Sequence, residues 1–305
     1  MSTETITAGR RRITISRAEK PLFPSGITKG ELATYYTEIA RVMLPHVKDR
    51  PLNMQRFPDG VGKQGFFHQR APDHFPEWVC RSTVPRARGE GTVRHVVACN
   101  AATLAYLAGQ TAITLHVWLS RTDRLDRPDR MVFDLDPAEG AGTDGFERAR
   151  AGAQALGDLL RDLGLEPFVM VTGSKGIHVW TPLQRRHGHD EVRAFARDVA
   201  ARLAAADDAL TTEMRKDKRG GRVLIDVMRN TYAHTAVAPY SVRAKPDAPV
   251  ATPLHWDELS DKKLRPDGFG IHDVLQRVAR DGDPWAGIAR RAATLSGARR
   301  RASRR

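Results

Sequence analysis

The sequence predicts an α+β fold built on a mostly antiparallel sheet, and three features carry that prediction. Five runs in the second half, ITLHVWL (113–119), MVFDLD (131–136), PFVMVT (167–172), GIHVWTP (176–182) and RVLIDVM (222–228), are rich in β-branched and apolar residues and read as strands. Between them FERARAGAQALGDLLRDLG and DEVRAFARDVAARLAAA place apolar residues at helical spacing. The stretch 167–182 leaves no room for a crossover helix, so its two strands form a hairpin and not a continuous βαβ winding.

The elements follow in order. RITIS (12–16) alternates as a short strand, and SRAEKPLFPSG is a turn-rich connector. ITKGELATYYTEIARVML is a helix: Thr28 and Glu31 have capping-box spacing, Leu32, Tyr35, Tyr36, Ile39 and Met43 share a face, and Pro45 and Pro51 end it. From 52 to 100, short strands are broken by PDGVGKQG and RARGEG. NAATLAYLAGQ reads as a short helix ended by Gly109, and Gly164 stops the helix that begins near FERARAG. The Arg/Ala/Ser-rich end reads as disordered.

Composition is that of a soluble globular chain, 41% hydrophobic and 28% charged. No apolar run reaches the roughly 18 residues of a membrane span, and the first residues lack a secretory signal, so no membrane partner and a cytoplasmic, nucleoid-associated location are expected. Cys80 and Cys99 form no CxxC and lie near no histidine at ligand spacing, which argues against zinc and points to reduced thiols. The net charge of +13 suggests a polyanionic partner, but Arg10–Arg12 and seven arginines from Arg290 onward supply ten of the positive charges, leaving +3. Charge alone therefore does not separate a nucleic-acid enzyme from a protein with basic ends.

Site chemistry is more informative. In MVFDLD, Met131, Phe133 and Leu135 share one strand face, while Val132, Asp134 and Asp136 share the other. In RVLIDVM, Val223, Ile225 and Val227 take the core side, leaving Leu224 and Asp226 opposite. Between these strands TGSKGIH offers Gly173 and Gly176 for close backbone approach, Ser174 and backbone N–H groups as phosphate donors, Lys175 as a cation, and His178 facing away from Ile177 and Val179. Aspartates on one face are the hard-oxygen ligands that Mg²⁺ or Mn²⁺ prefer, and two such ions can activate a primer 3′-hydroxyl and clamp a triphosphate. A lone DxD is weak, because exposed strand ends use aspartate freely. Its conjunction with GSKGIH and Asp226 is what gives the pattern force.

The stretches KPLFPSGITKGELATYY, GFFHQRAP, ITLHVWLSR, FDLDP, TGSKGIHVW and GGRVLIDVMRNTYAHTAVAPYSVRAKPDAPVATPLHWDEL resemble the polymerase domain of bacterial ligase D, in the archaeo-eukaryotic primase superfamily, over roughly residues 12–280. The resemblance implies a primase-polymerase fold: an RRM-like catalytic sheet flanked by helices, with a packed N-terminal α/β lobe. It implies metal-binding, catalytic Asp134, Asp136 and Asp226, and nucleotide contacts from His116, Ser174, Lys175, Gly176, His178 and Arg243. A DNA 5′-phosphate would meet Lys20 and Lys29, with Arg17 standing where many relatives have Asn. DNA or template would meet Arg56, Phe66 or Phe67, Arg219 and Arg222. Adjacent strand residues point oppositely, so at most one of the two phenylalanines should be exposed.

The expected organisation is a flexible N-terminus (1–11), one domain over 12–288 with lobes at about 12–110 and 111–280, and a basic disordered tail (289–305). The expected function is a DNA-directed nucleotidyltransferase that fills gaps and extends 3′ ends in bacterial non-homologous end joining. It would prefer ribonucleotides, use two Mn²⁺ or Mg²⁺ ions with NTP or dNTP substrates, and work with a Ku-like end-binding protein and a separate DNA ligase. A non-catalytic DNA-end-binding accessory, a primer-independent primase and a haloacid-dehalogenase-type phosphatase are the alternatives. Against the phosphatase, Ala138 follows Pro137 where that DxD motif continues with Thr or Val.

Overall fold

The computed structural model describes residues 3–302. Alternation in RITIS becomes β2 (Arg11–Ser16), with Ile13 and Ile15 buried. It pairs antiparallel with β1 (Thr3–Ala8), from Thr3 opposite Ser16 to Ala8 opposite Arg11. This register corrects the expectation of a flexible N-terminus (1–11) from residue 3 onward; Met1 and Ser2 lie outside the described residues.

The capping box is formed: Glu31 N–H donates to Thr28 Oγ1 at 3.2 Å, and Thr28 N–H donates to Glu31 Oε2 at 2.8 Å. It starts α1 (Lys29–Glu38), which breaks at Ile39 into α2 (Ala40–Val47). Pro45 lies inside α2 instead of ending it; buried Met43 and Val47 hold the helix against the core on both sides of the proline.

Next come β3 (Pro51–Arg56), β4 (Phe66–His68), β5 (Arg81–Pro85), β6 (Thr92–Val97), α3 (Ala101–Gly109) and β7 (Ala112–Trp118). The sheet runs β7-β3-β6-β5, and β4 pairs with β3. The β5–β6 pairing brings the flanking cysteines together, and Cys80–Cys99 is a disulfide with Cα atoms 6.2 Å apart. The sequence expectation of reduced thiols is corrected on this point.

Five strands of a second, six-stranded sheet are β8 (Arg130–Asp136), β9 (Phe168–Val171), β10 (Ile177–Pro182), β11 (Leu210–Thr211) and β12 (Val223–Asp226), in the order β11-β12-β8-β10-β9. All of these pairings are antiparallel except β11–β12, and β9–β10 is the expected hairpin. Helices α4 (Gly142–Asp162) and α5 (His189–Ala206) complete this layer. A Cβ at Gly152 of α4 would press on Leu210 at 2.8 Å and Leu135 at 3.2 Å, so this glycine lets the helix settle on the Leu135 face. The aspartates of β8 take the opposite face.

Two compact units result, interleaved in sequence. One holds residues through Trp118, Val237–Thr252 and Phe269–Asp283; the other holds Leu119–Ala236, Pro253–Gly268 and the segment from Pro284. The chain changes units within the short strands β13 (Thr235–Val237) and β14 (Thr252–Leu254), and α6 (Ile271–Asp281) belongs to the first unit. The expected division near residue 110 therefore moves to Trp118, because β7 pairs with β3, His116 opposite Asn53.

The end of the chain also departs from expectation. Leu295–Ala302 is helical (α7), Leu295 and Ala298 are buried, and Arg301 Nη1 donates to the Leu163 carbonyl at 3.3 Å, just past the end of α4. Ordered packing thus replaces the disordered tail of 289–305 as far as Ala302; Arg304 and Arg305 lie outside the described residues.

Candidate active site

Register in the second sheet settles which side chains are neighbours. On β8, Asp134 lies opposite His178 of β10 on one side and Asp226 of β12 on the other. Directly paired residues point to the same face, so His178, Asp134 and Asp226 form a row across three strands. Asp136 is the next residue on that face of β8, opposite Leu224.

Nitrogen groups meet the carboxylates. His178 Nε2 is 3.4 Å from Asp134 Oδ2, Lys175 Nζ is 3.4 Å from Asp136 Oδ2, and Arg229 Nη2 is 3.6 Å from Asp134 Oδ2. Asp134 is only 7% exposed. Burial, then the charge of Asp134, raises the Asp136 carboxyl above the ordinary carboxylate range, against the opposing pull of Lys175 and His178. Negative charge is therefore in excess there. Two neighbouring carboxylates, one of them of raised proton affinity, are suited to a divalent cation, and their hard oxygens fit Mg²⁺ or Mn²⁺.

The third carboxylate is a neighbour without yet closing a cage. Asp226 Oδ1 accepts from Met228 N–H at 2.7 Å, and among the described residues no three His, Cys, Asp or Glu side chains converge as a ready-made metal cluster.

The GSKG loop is shaped by its glycines. Gly173 has φ +64°, and a Cβ at Gly176 would collide with the Leu135 carbonyl. Thr172 N–H donates to Gly176 O at 3.1 Å, and Gly176 N–H to Thr172 Oγ1 at 3.3 Å. Gly176 thus lets the loop press against β8, and its N–H is already used. Ser174 is half-buried and Lys175 exposed at the loop's crest.

Sequence reading overlooked two residues just past Asp226. Asn230, fully buried, accepts from Val132 N–H at 2.9 Å and donates to the carbonyls of Val132 and Val227 at 2.7 and 2.8 Å, stitching the turn after β12 to β8. Arg229, carried on that turn, reaches Asp134. The available signal was the arginine three places after a strand-end aspartate.

Arg219 departs from expectation. It is 8% exposed, and its guanidinium donates to the carbonyls of Glu213 and Met214 at 3.0 and 2.9 Å, so it holds its own loop in place of facing outward. Arg222 likewise donates to Arg219 O at 2.8 Å.

The remaining candidates belong to the first unit. Lys29 is 3% exposed, with Nζ 3.5 Å from Ser16 Oγ. Burial first, then the charges of Arg17 and Lys20, lowers its ammonium below the ordinary lysine range. Lys20 Nζ donates to Pro58 O at 2.7 Å and Asp59 Oδ1 at 3.1 Å. Arg17 has φ +52°. A buried lysine beside two further cations makes a local excess of positive charge suited to an anion.

Both phenylalanines of β4 are exposed, Phe66 by 47% and Phe67 by 63%, which corrects the expectation that one would be inward. A three-residue edge strand has neither face covered. Arg56 lies over the Phe66 ring at 5.7 Å, and the Phe67 and His116 rings meet edge-on at 5.7 Å. Arg243 sits where a tight loop closes, its N–H donating to Pro249 O at 2.7 Å.

A family described as the LigD primase-polymerase domain matches residues 28–285. The multifunctional non-homologous end joining protein LigD of Mycobacterium bovis is 37% identical over 287 residues, covering 91% of this chain and 37% of the relative. That of Pseudomonas aeruginosa is 32% identical, covering 97% and 34%, and the bifunctional LigD of Bacillus subtilis is 30% identical, covering 85% and 41%. The chain thus spans little more than a third of these relatives. The solved polymerase domain from Mycobacterium tuberculosis Ligase D, in complex with DNA, superposes with a TM-score of 0.85 at 35% identity, over 93% of this chain and 100% of the other.

Proposed function

The chain belongs to the LigD primase-polymerase domain family, and from that premise we propose that it is a template-directed nucleotidyltransferase of non-homologous end joining, which fills gaps and extends 3′ ends at DNA breaks. The row His178–Asp134–Asp226, with Lys175 on Asp136, is the observation that carries this reading. Asp134, Asp136 and Asp226 would hold Mn²⁺ or Mg²⁺, two ions in all; a divalent ion there supplies the charge that activates a 3′-hydroxyl and neutralises a departing pyrophosphate.

The chain's own part is positioning. Lys175 and Ser174 lie at the crest of a loop pressed on β8, placed to bind triphosphate oxygens, and His178 offers a ring nitrogen beside Asp134. His116 and Arg243 are assigned to the nucleotide as well. Lys29, Lys20 and Arg17 form the pocket for a downstream 5′-phosphate, and Phe66 and Phe67 offer stacking faces with Arg56 beside them. That a solved relative was determined with DNA supports a DNA substrate. Arg222 and Arg219 would act through the shape of their loop.

Ribonucleotide preference, a Ku-like partner, a ligase on another polypeptide and a cytoplasmic, nucleoid-associated site of action complete the proposal. Among the described residues no helix is long and apolar enough to cross a membrane. The test is extension of a gapped duplex, with and without the downstream 5′-phosphate, offering NTPs or dNTPs with Mg²⁺ or Mn²⁺. Incorporation by wild type and its loss in Asp134→Ala and Asp136→Ala, with DNA affinity kept, is expected. Undiminished incorporation in those variants would remove the metal assignment, and end binding without any incorporation would favour the accessory reading.

A further inference from the structure

His178 presents two ring nitrogens to two different partners, and one of them fixes the other. Trp180 follows two residues later on the same face of β10 and is fully buried, and His178 itself is 3% exposed. The indole Nε1–H donates to His178 Nδ1 at 3.4 Å, while His178 Nε2 faces Asp134 Oδ2 at the same distance. An indole nitrogen can only donate. Nδ1 must therefore accept, and in the neutral ring the proton resides on Nε2, where it points at a carboxylate.

We propose that Trp180 is a positioning residue that selects the Nε2–H tautomer of His178, so that the imidazole meets the carboxylate row and any bound phosphate as a donor. The Trp180 ring is itself held: Arg130 lies over it at 5.5 Å, and the Trp285 ring packs 5.8 Å away. Trp285 is fully buried and anchored in turn by its own N–H on the Val169 carbonyl at 3.0 Å. A buried tryptophan with both faces of its neighbourhood occupied has no freedom to withdraw its N–H. Such outer hydrogen bonds commonly fix which imidazole nitrogen carries the proton.

The proposal rests on the polymerase reading only for the use made of the proton, so the experiment separates the two. Protein labelled with ¹⁵N-histidine is examined by long-range ¹H–¹⁵N correlation above the ordinary imidazole titration range, with His178→Gln assigning the signal. Wild type is expected to show the Nε2–H pattern. Trp180→Phe, which keeps a ring and removes the donor, leaves Asp134 alone to hold the proton on Nε2, and is expected to raise the Nδ1–H share of His178 and to raise the KM for nucleotide by about tenfold. An Nδ1–H pattern in wild type, or an unchanged tautomer in Trp180→Phe, overturns the proposal. Should Trp180→Phe fail to fold, doubly labelled wild type decides: a coupling between Trp180 Nε1 and His178 Nδ1 across the hydrogen bond is expected, and its absence overturns the assignment. A tautomer that shifts as expected in a protein that extends no primer leaves the positioning role standing and removes the polymerase reading instead.

Discussion

Burial and the charge of Asp134 raise the Asp136 carboxyl, so a proton is held there more tightly in the folded chain than in the unfolded one. That contribution to stability is complete below the unfolded value of 3.8 and is lost as pH rises through the raised folded value. At neutral pH the metal-free chain therefore carries a cost, and Asp136→Asn is expected to melt higher than wild type in chelator, with the difference closing in acid. Added Mn²⁺ should raise the melting temperature of wild type and not of the variant; equal responses would sink the assignment. Lys29 is the mirror case. Its lowered ammonium gives stability above the unfolded value of 10.5 that is lost as pH falls through the folded value, again a cost at neutrality. Lys29→Met should melt higher, lose the rise in melting temperature that inorganic phosphate gives wild type, and discriminate phosphorylated gaps about tenfold less well. Alternation made the shared face of the three aspartates legible, because face is set by a period of two. The phenylalanines were misjudged because that same rule assumes one covered face, and Arg219 because sequence does not say which carbonyls a guanidinium will find.

Helix starts and close approaches have local chemistry, and both were read from sequence. Thr28 and Glu31 close their capping box as their spacing indicated. Thr28→Ala should cost about 1 kcal/mol in denaturant unfolding; no change in the midpoint would show that α1 is held by its packing alone. Gly176 is more demanding, since the atom a Cβ would strike is a backbone oxygen of β8 and cannot rotate away. Gly176→Ala is therefore expected to displace the GSKG loop from Asp136 and to lower incorporation far more than stability, which extension kinetics beside a melting curve would separate. The break at Ile39 was not legible. Residue 39 serves as C-cap of α1 and N-cap of α2 with ordinary helical angles, φ −74° and ψ −10°, and nothing in its type announces the bend. Pro45 was the visible signal and marked the wrong place, because tertiary packing held α2 past it.

At the scale of the whole chain the arginine-rich end shows how composition and packing compete. Arg290 onward is basic enough to read as a solvated arm, whose DNA affinity would fall steeply with salt. Folding uses the stretch 285–302 otherwise. Trp285 and Leu295 are fully enclosed, Ile288 and Ala298 nearly so, Leu183 and Ala293 form a bridge, and Arg299 reaches Glu191 of α5. Three or four apolar side chains decide the matter, too few for periodicity to flag among so many charges. Burying them offsets the ordering of the short segment, at about 25 cal/mol per Å² of apolar surface. Trp285→Ala should accordingly destabilise by about 3–5 kcal/mol. Removing Leu295–Ala302 should lower the melting temperature at low and high salt alike, because packing is not screened as surface charge is. A segment acting only as an electrostatic arm would give the opposite pair of results: an unchanged melting curve, with DNA affinity lost at low salt. Thermal unfolding and DNA titration of the truncated chain across a salt series distinguish the two.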